Sequence, residues 1–144
     1  MKAGATKRLV LDASVAVAWC FPDEATPYTE GVLDLLASGT EALTTAVWPF
    51  EVANALLEGE SRKRISVAQV TTVLHRISGL PILVDTIRIE IAFSQILSVA
   101  RQEQLTEYDA AYLELALREG LPLATLDNEL KRAARTSGIS LVTI

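Results

Sequence analysis

Asp12, Glu51, Asp109 and Asp127 are the residues of this chain whose type and placement point to chemistry. Asp12 ends the apolar run RLVLD, and Glu51 lies in the first turn or so of a helical stretch that follows a second apolar run. Asp109 lies in the first turn of LTEYDAAYLELALREG, and Asp127 closes GLPLATLD at a helix start. No basic residue adjoins Asp12, Glu51 or Asp109. Two unit charges of one sign ~4 Å apart repel by about 4 kcal/mol at an effective dielectric of 20. Four carboxylates brought together therefore demand a bound cation or raised pKa values. All-oxygen ligation suits magnesium or manganese (Mg2+ or Mn2+) and disfavours zinc or copper. Such a cation lowers the pKa of a bound water and neutralises charge building on a phosphoryl group, and a pair ~3.5–4 Å apart also stabilises the attacking and leaving oxygens. The residue types leave open whether one ion is held or two.

Each acid taken singly has a plainer explanation. Acids near helix N-termini are favoured by the macrodipole, by ~0.3–1 kcal/mol each. Asp127 can cap the helix NELKRAAR, and Asp109 stands where it would complete a capping box with Thr106. The neighbours change the weighting. Leu113, Ala116 and Leu117 follow Asp109 at helical spacing, which places the acid at the end of a buried stripe, with Glu107, Glu114 and Arg118 on another side. Asp12 interrupts the apolar LVL and AVAV, and an acid so placed needs a partner.

The elements that must position these acids alternate in type. Apolar runs at 8–12, 41–47, 81–85 and 120–127, with ISLVTI at the end, read as strands. Between them lie helices: one capped by Ser14 through about Cys20, TEGVLDLLASG, WPFEVANALLEGESRKR, VAQVTTVLHRISG capped by Ser66, a long helix over about 87–104 with Ile91, Ile96 and Val99 on its apolar stripe, the Asp109 helix ended by Gly120, and NELKRAARTSG. Alternation of this kind predicts an α/β fold with a mostly parallel sheet. In such sheets the strand C-termini and the following helix N-termini share the edge where ligands bind. The four acids fall on that edge.

The 144 residues suit one domain, 1–144, with residues 1–7 as a loose tail. A compact fold of this size buries about 70% of its unfolded surface, so disulfides are not needed. The single cysteine, Cys20, excludes a disulfide framework and a cysteine-based zinc site, and predicts a reducing, cytoplasmic setting. Lys2, Lys7 and Arg8 precede LVLDASVAVAWCF, but Asp12 breaks that apolar region and no small-residue site closes it, so it reads as strand and helix. No apolar run approaches the ~20 residues of a membrane span. The net charge of −5 argues against nucleic-acid binding driven by overall charge. Local basic groups remain: Arg62, Lys63 and Arg64 after the Glu51 helix, and Lys131, Arg132 and Arg135 near Asp127, which would contact phosphates or simply cap and solvate helix ends. His75 reads as a helix-surface residue, and Trp19 and Trp48 as core or groove residues.

LVLDAS, WPFEVANAL, LTEYDAAYLELA and LATLDNEL, in that order, resemble the PIN-domain ribonucleases, and most of all the VapC-type toxins of toxin–antitoxin pairs. The resemblance spans 8–144. It implies a three-layer α/β/α fold with a parallel sheet of about five strands. It makes Asp12 and Asp109 direct magnesium ligands, with Glu51 completing the cluster through the metal or its waters and Asp127 as the more variable fourth acid. Ser14, Asn54 and Thr125 match polar positions that support the acids. The resemblance further implies hydrolysis of RNA phosphodiesters by water, leaving 5′-phosphate and 3′-hydroxyl ends, a homodimer, and a cognate antitoxin in a groove beside the active site. Two other readings stand beside it. One is a phosphotransfer protein of another fold with Asp12 as nucleophile; haloacid-dehalogenase-like phosphatases carry a second acid two residues later, where this chain has Ser14. The other is an interaction module that kept the fold without the activity.

Overall fold

A computed structural model describes residues 7–144. The expected loose tail therefore lies, for residues 1–6, outside the described residues. Four strands form one parallel sheet: β1 (Arg8–Leu11), β2 (Glu41–Thr44), β3 (Ile82–Val84) and β4 (Leu123–Ala124), in the order β3-β2-β1-β4. The registers are Val10 beside Leu43 on one side of β1 and beside Leu123 on the other. The central strand is apolar on both faces, with Leu9, Val10 and Leu11 buried, as a strand covered by helices on both sides requires.

The expected fifth strand, ISLVTI, is reduced to a single parallel bridge at Leu141 beside Leu123. The Leu123 N–H donates to the Ser140 carbonyl, and the Val142 N–H donates to the Leu123 carbonyl. Strand β4 has two residues, which leaves its outer neighbour no ladder to extend. The first strand, β1, leads into α1 (Ala13–Cys20), and a short 3₁₀ turn connects it to α2 (Pro27–Ala37). Helices α3 (Trp48–Ser61) and α4 (Val67–Ser78) link β2 to β3. A π-wound stretch (Ile91–Ile96) runs into α5 (Leu97–Glu103), which α6 (Glu107–Glu119) follows, and α7 (Asn128–Thr136) follows β4.

Helix α1 packs on α2 and α3, while α6 packs on α5, α7 and β1. The main core joins the sheet to α1, α2, α3, α6 and α7 through Val15, Leu36, Leu56, Leu113 and Leu130. A smaller cluster of Ile96, Ala110 and Ala111 seats the π-wound stretch on α6. Two local expectations change. The N-cap of α1 is Asp12, one residue past the strand, rather than Ser14. On α6, Leu117 is exposed and Glu114 is buried. Glu114 is inside because Arg118, one turn on, bonds both it and Asp85 beyond β3, which satisfies the buried charge. Among the described residues, no helix is long and apolar enough to cross a membrane.

Candidate active site

Asp12 leaves the C-terminal end of the central strand and is 4% exposed. Its backbone N–H donates to the Ala124 carbonyl, so it sits level with the end of β4. Two hydroxyls donate to the same carboxylate oxygen: Ser14 Oγ to Oδ2 at 2.6 Å and Thr125 Oγ1 to Oδ2 at 2.7 Å. Both are held in turn. The Leu126 N–H donates to Ser14 Oγ, and the Asp127 N–H donates to Thr125 Oγ1. The turn after β4 is thus tied to the turn after β1 through one carboxylate. Among the described residues no side chain donates to Oδ1, and the Ala13 N–H adds a backbone bond to the carboxylate. Burial raises the Asp12 pKa, the hydroxyls of Ser14 and Thr125 work against that rise, and the Asp127 charge adds to it.

Glu51 lies in the first turn of α3 and is half-buried. Its Oε1 accepts a 2.7 Å hydrogen bond from the hydroxyl of Tyr112, a fully buried residue of α6. Burial raises its pKa as well, the Tyr112 bond opposes this, and the Asp12 charge adds to it. Asp109 stands in the first turn of α6. Thr106 caps this helix by accepting from the Asp109 N–H at 3.2 Å, and the reciprocal half of the expected capping box is not formed. The Asp109 carboxylate is therefore free of the capping role. Its pKa is pushed up to about 7, first by burial and then by the charges of Asp127, Asp12 and Glu51 and by a hydrogen bond shared with Asp127. Asp127 caps α7 by accepting from the Glu129 N–H at 3.1 Å, so it serves the helix and faces Asp109 at once.

The fold thus brings the four acids into one electrostatic neighbourhood at the carboxyl edge of the sheet. Among the described residues none of them is paired with an arginine or lysine. Carboxylate oxygens, mutual repulsion and the lack of a protein cation are the conditions that a hard divalent cation satisfies. The donor set fits magnesium or manganese. Among the described residues, no three His, Cys, Asp or Glu side chains already stand at the spacing of a finished cation shell.

The other sequence-derived candidates fall in different places. Asn54 is exposed on α3, one turn beyond Glu51. Arg62, Lys63 and Arg64 lie past the far end of that helix, and the rise per residue puts Arg62 roughly 16 Å from Glu51 along the axis. Arg64 is bonded to Asp23 and Glu24 and lies over the Phe21 ring at 4.2 Å. It staples the α1–α2 connection to the end of α3, so the structure assigns it a local task away from the acids. Arg132 is engaged by Glu129 and by the Glu103 carbonyl. Lys131 is half-buried one turn beyond Asp127 and makes no ion pair among the described residues. The residue missed by sequence reasoning is Tyr112. Its signal was a lone polar tip in the apolar stripe of α6, three residues past Asp109, where a buried phenol must find an acceptor.

A family model for the PIN domain matches residues 9–136. The chain belongs to the PIN domain family, whose members are typically nucleases. Among solved structures, PAE2754 from Pyrobaculum aerophilum is similar at 23% identity with a TM-score of 0.69, over 92% of this chain and 87% of that one. VapBC2 from Rickettsia felis, solved bound to a DNA fragment from its promoter, is similar at 16% identity with a TM-score of 0.61, over 94% of this chain and 97% of that one. FitAcB from Neisseria gonorrhoeae is similar at 18% identity with a TM-score of 0.55, over 94% and 96%. A search of curated proteins finds no significant match. Family membership sets aside the phosphotransfer alternative, which required another fold.

Proposed function

We propose that this protein is a Mg2+- or Mn2+-dependent endoribonuclease and the toxin of a toxin–antitoxin pair. The observation that carries the reading is the set of four carboxylates, Asp12, Glu51, Asp109 and Asp127, at one edge of the sheet with no protein cation paired to them among the described residues; burial and then the neighbouring acids raise the pKa values of Asp12, Glu51 and Asp109. Asp12 and Asp109 would hold the cation directly, with Glu51 and Asp127 completing the shell. Bound there, the cation supplies an acidified water and neutralises charge on the phosphoryl group. Ser14 and Thr125 fix the Asp12 carboxylate so that Oδ1 faces the shell. Lys131 is placed to meet an RNA phosphate beside Asp127. No residue of this set requires a 2′-hydroxyl, so the products are expected to carry 5′-phosphate and 3′-hydroxyl ends.

The antitoxin reading is supported by the similarity to VapBC2 and FitAcB and by one surface. An apolar groove of about 380 Å³ runs between α3 and α4, lined by Trp48, Val52, Leu56, Leu57, Val70 and Leu74. It starts one turn from Glu51, and the buried Trp48 Nε1 has no acceptor there among the described residues. An apolar antitoxin segment with a free backbone carbonyl fits it. A homodimer working in the cytoplasm completes the proposal. The test is cleavage of single-stranded RNA by the parent and by Asp12→Asn, with end-group analysis of the products. Loss of cleavage in a folded Asp12→Asn variant is expected. Cyclic-phosphate ends, or a variant as active as the parent, would sink the proposal, and inactivity of the parent with every divalent cation would favour the non-catalytic module.

A further inference from the structure

We propose that Tyr112 is a positioning residue for Glu51: its buried hydroxyl binds one carboxylate oxygen and turns the other toward the cation site. This rests on reading the four acids as that site. Tyr112 is 0% exposed, and its ring is part of the main core beside Leu113, Leu115 and Leu123. Packing therefore fixes the ring, and the ring fixes the hydroxyl. A buried phenol needs an acceptor, and the acceptor is Glu51 Oε1 at 2.7 Å, 61 residues away in sequence. Glu51 is only half-buried on the first turn of α3, so without this bond its three side-chain torsions would be free to carry the carboxylate into solvent. Tyr112 sits three residues past Asp109, and that spacing puts both on one side of α6. One helix thus supplies an acid to the site and the clamp on a second acid from another helix.

Asp12 is organised in the same way. Its Oδ2 is taken by two hydroxyls, and no side chain donates to Oδ1 among the described residues. In both carboxylates one oxygen is committed to side-chain hydroxyls and the other accepts none. Side chains that orient a ligand from behind typically change metal affinity by 10–100-fold when removed.

The test is Mn2+ binding by calorimetry to the parent, to Tyr112→Phe and to Glu51→Asp, beside steady-state RNA cleavage. Phenylalanine keeps the packed ring and removes only the hydroxyl. Tyr112→Phe is expected to bind Mn2+ about 10-fold more weakly and to lose kcat with KM for RNA little changed. In a Glu51→Gln background the same substitution should weaken Mn2+ no further, because the oxygen it orients is no longer an anionic ligand. Parent-like Mn2+ affinity in Tyr112→Phe overturns the proposal. Should that variant fail to fold, Glu51→Asp decides, since it keeps the charge but withdraws it from the phenol; parent-like affinity there also overturns the proposal. Failure of the parent itself to bind Mn2+ is a different result, and refutes the cation site on which the proposal stands.

Discussion

Replacing Asp109 by Asn should make the metal-free protein more stable at pH 8 while abolishing RNA cleavage. The carboxyl is raised from 3.8 to about 7 by burial and by the neighbouring acids. Below pH ~4 the group is protonated in both the folded and the unfolded chain, and it contributes nothing. Between ~4 and ~7 the unfolded chain releases its proton while the folded chain keeps it, so stability falls as the pH rises, and above ~7 the full penalty is present. At about 1.36 kcal/mol per pH unit the rise corresponds to about 4 kcal/mol. The side chain is only partly buried, and solvent screening reduces this to about 1–2 kcal/mol. The attraction of an ionised acid to the helix N-terminus has the opposite sign and is ~0.3–1 kcal/mol. Asparagine carries neither contribution. The Asn variant should therefore gain about 1 kcal/mol over the parent at pH 8 in EDTA, a rise in Tm of about 3–5 °C for a chain of this length, and the difference should vanish near pH 4. Thermal unfolding of both proteins across that pH range is the assay. An Asn variant less stable than the parent at pH 8, or a difference that ignores pH, would refute the electrostatic reasoning and return Asp109 to helix capping.

Other expectations follow from neighbouring features. Millimolar Mg2+ or Mn2+ should raise the parent's Tm and leave that of Asp12→Asn nearly unchanged, because a ligand stabilises only the state that binds it; equal shifts in both would place the ions elsewhere. Lys131→Ala should slow RNA cleavage by roughly 10-fold, the worth of about 1.4 kcal/mol in the transition state, while Arg64→Ala leaves the cleavage rate within about twofold. The reverse ranking would move the RNA contact to the far end of α3. Gly59→Ala should lower stability by about 1–3 kcal/mol, because its new Cβ would stand 2.7 Å from the buried Phe21 ring. Urea unfolding with parent-like stability would contradict that packing.

Much of this molecule can be read from apolar runs and helix punctuation. Leu9, Val10 and Leu11 form a strand too apolar for any place but the middle of a covered sheet, and β1 takes that place. Thr106, Ser66 and Gly120 mark helix ends where they were expected. The carboxyl edge of a parallel sheet follows from the alternation alone, so the neighbourhood of Asp12, Glu51, Asp109 and Asp127 was legible before any coordinates. What was not legible depends on partners distant in the chain. Glu114 is buried because Asp85, in another segment, shares Arg118 with it. Ser14 gives up the capping role because Asp12 and Leu126 claim its hydroxyl. Arg64 looks like a phosphate contact until Asp23 and Glu24 are seen beside it. The Tyr112 bond to Glu51 spans 61 residues, beyond the reach of any local pattern. The π winding of Ile91–Ile96 has no signature in the residue types, which read as an ordinary amphipathic helix.

Calorimetric titration of the metal-free parent with Mn2+, run in two buffers of different ionisation enthalpy, examines the carboxylate cluster itself. Metal ligands bind in their deprotonated form, so a cation entering the site must displace the proton held by Asp109. With that carboxyl at about 7, saturable binding at pH 7 should release about half a proton per site, falling toward zero at pH 9. Absence of saturable binding, or binding that releases no proton at pH 7, would contradict a cation site built from these four acids.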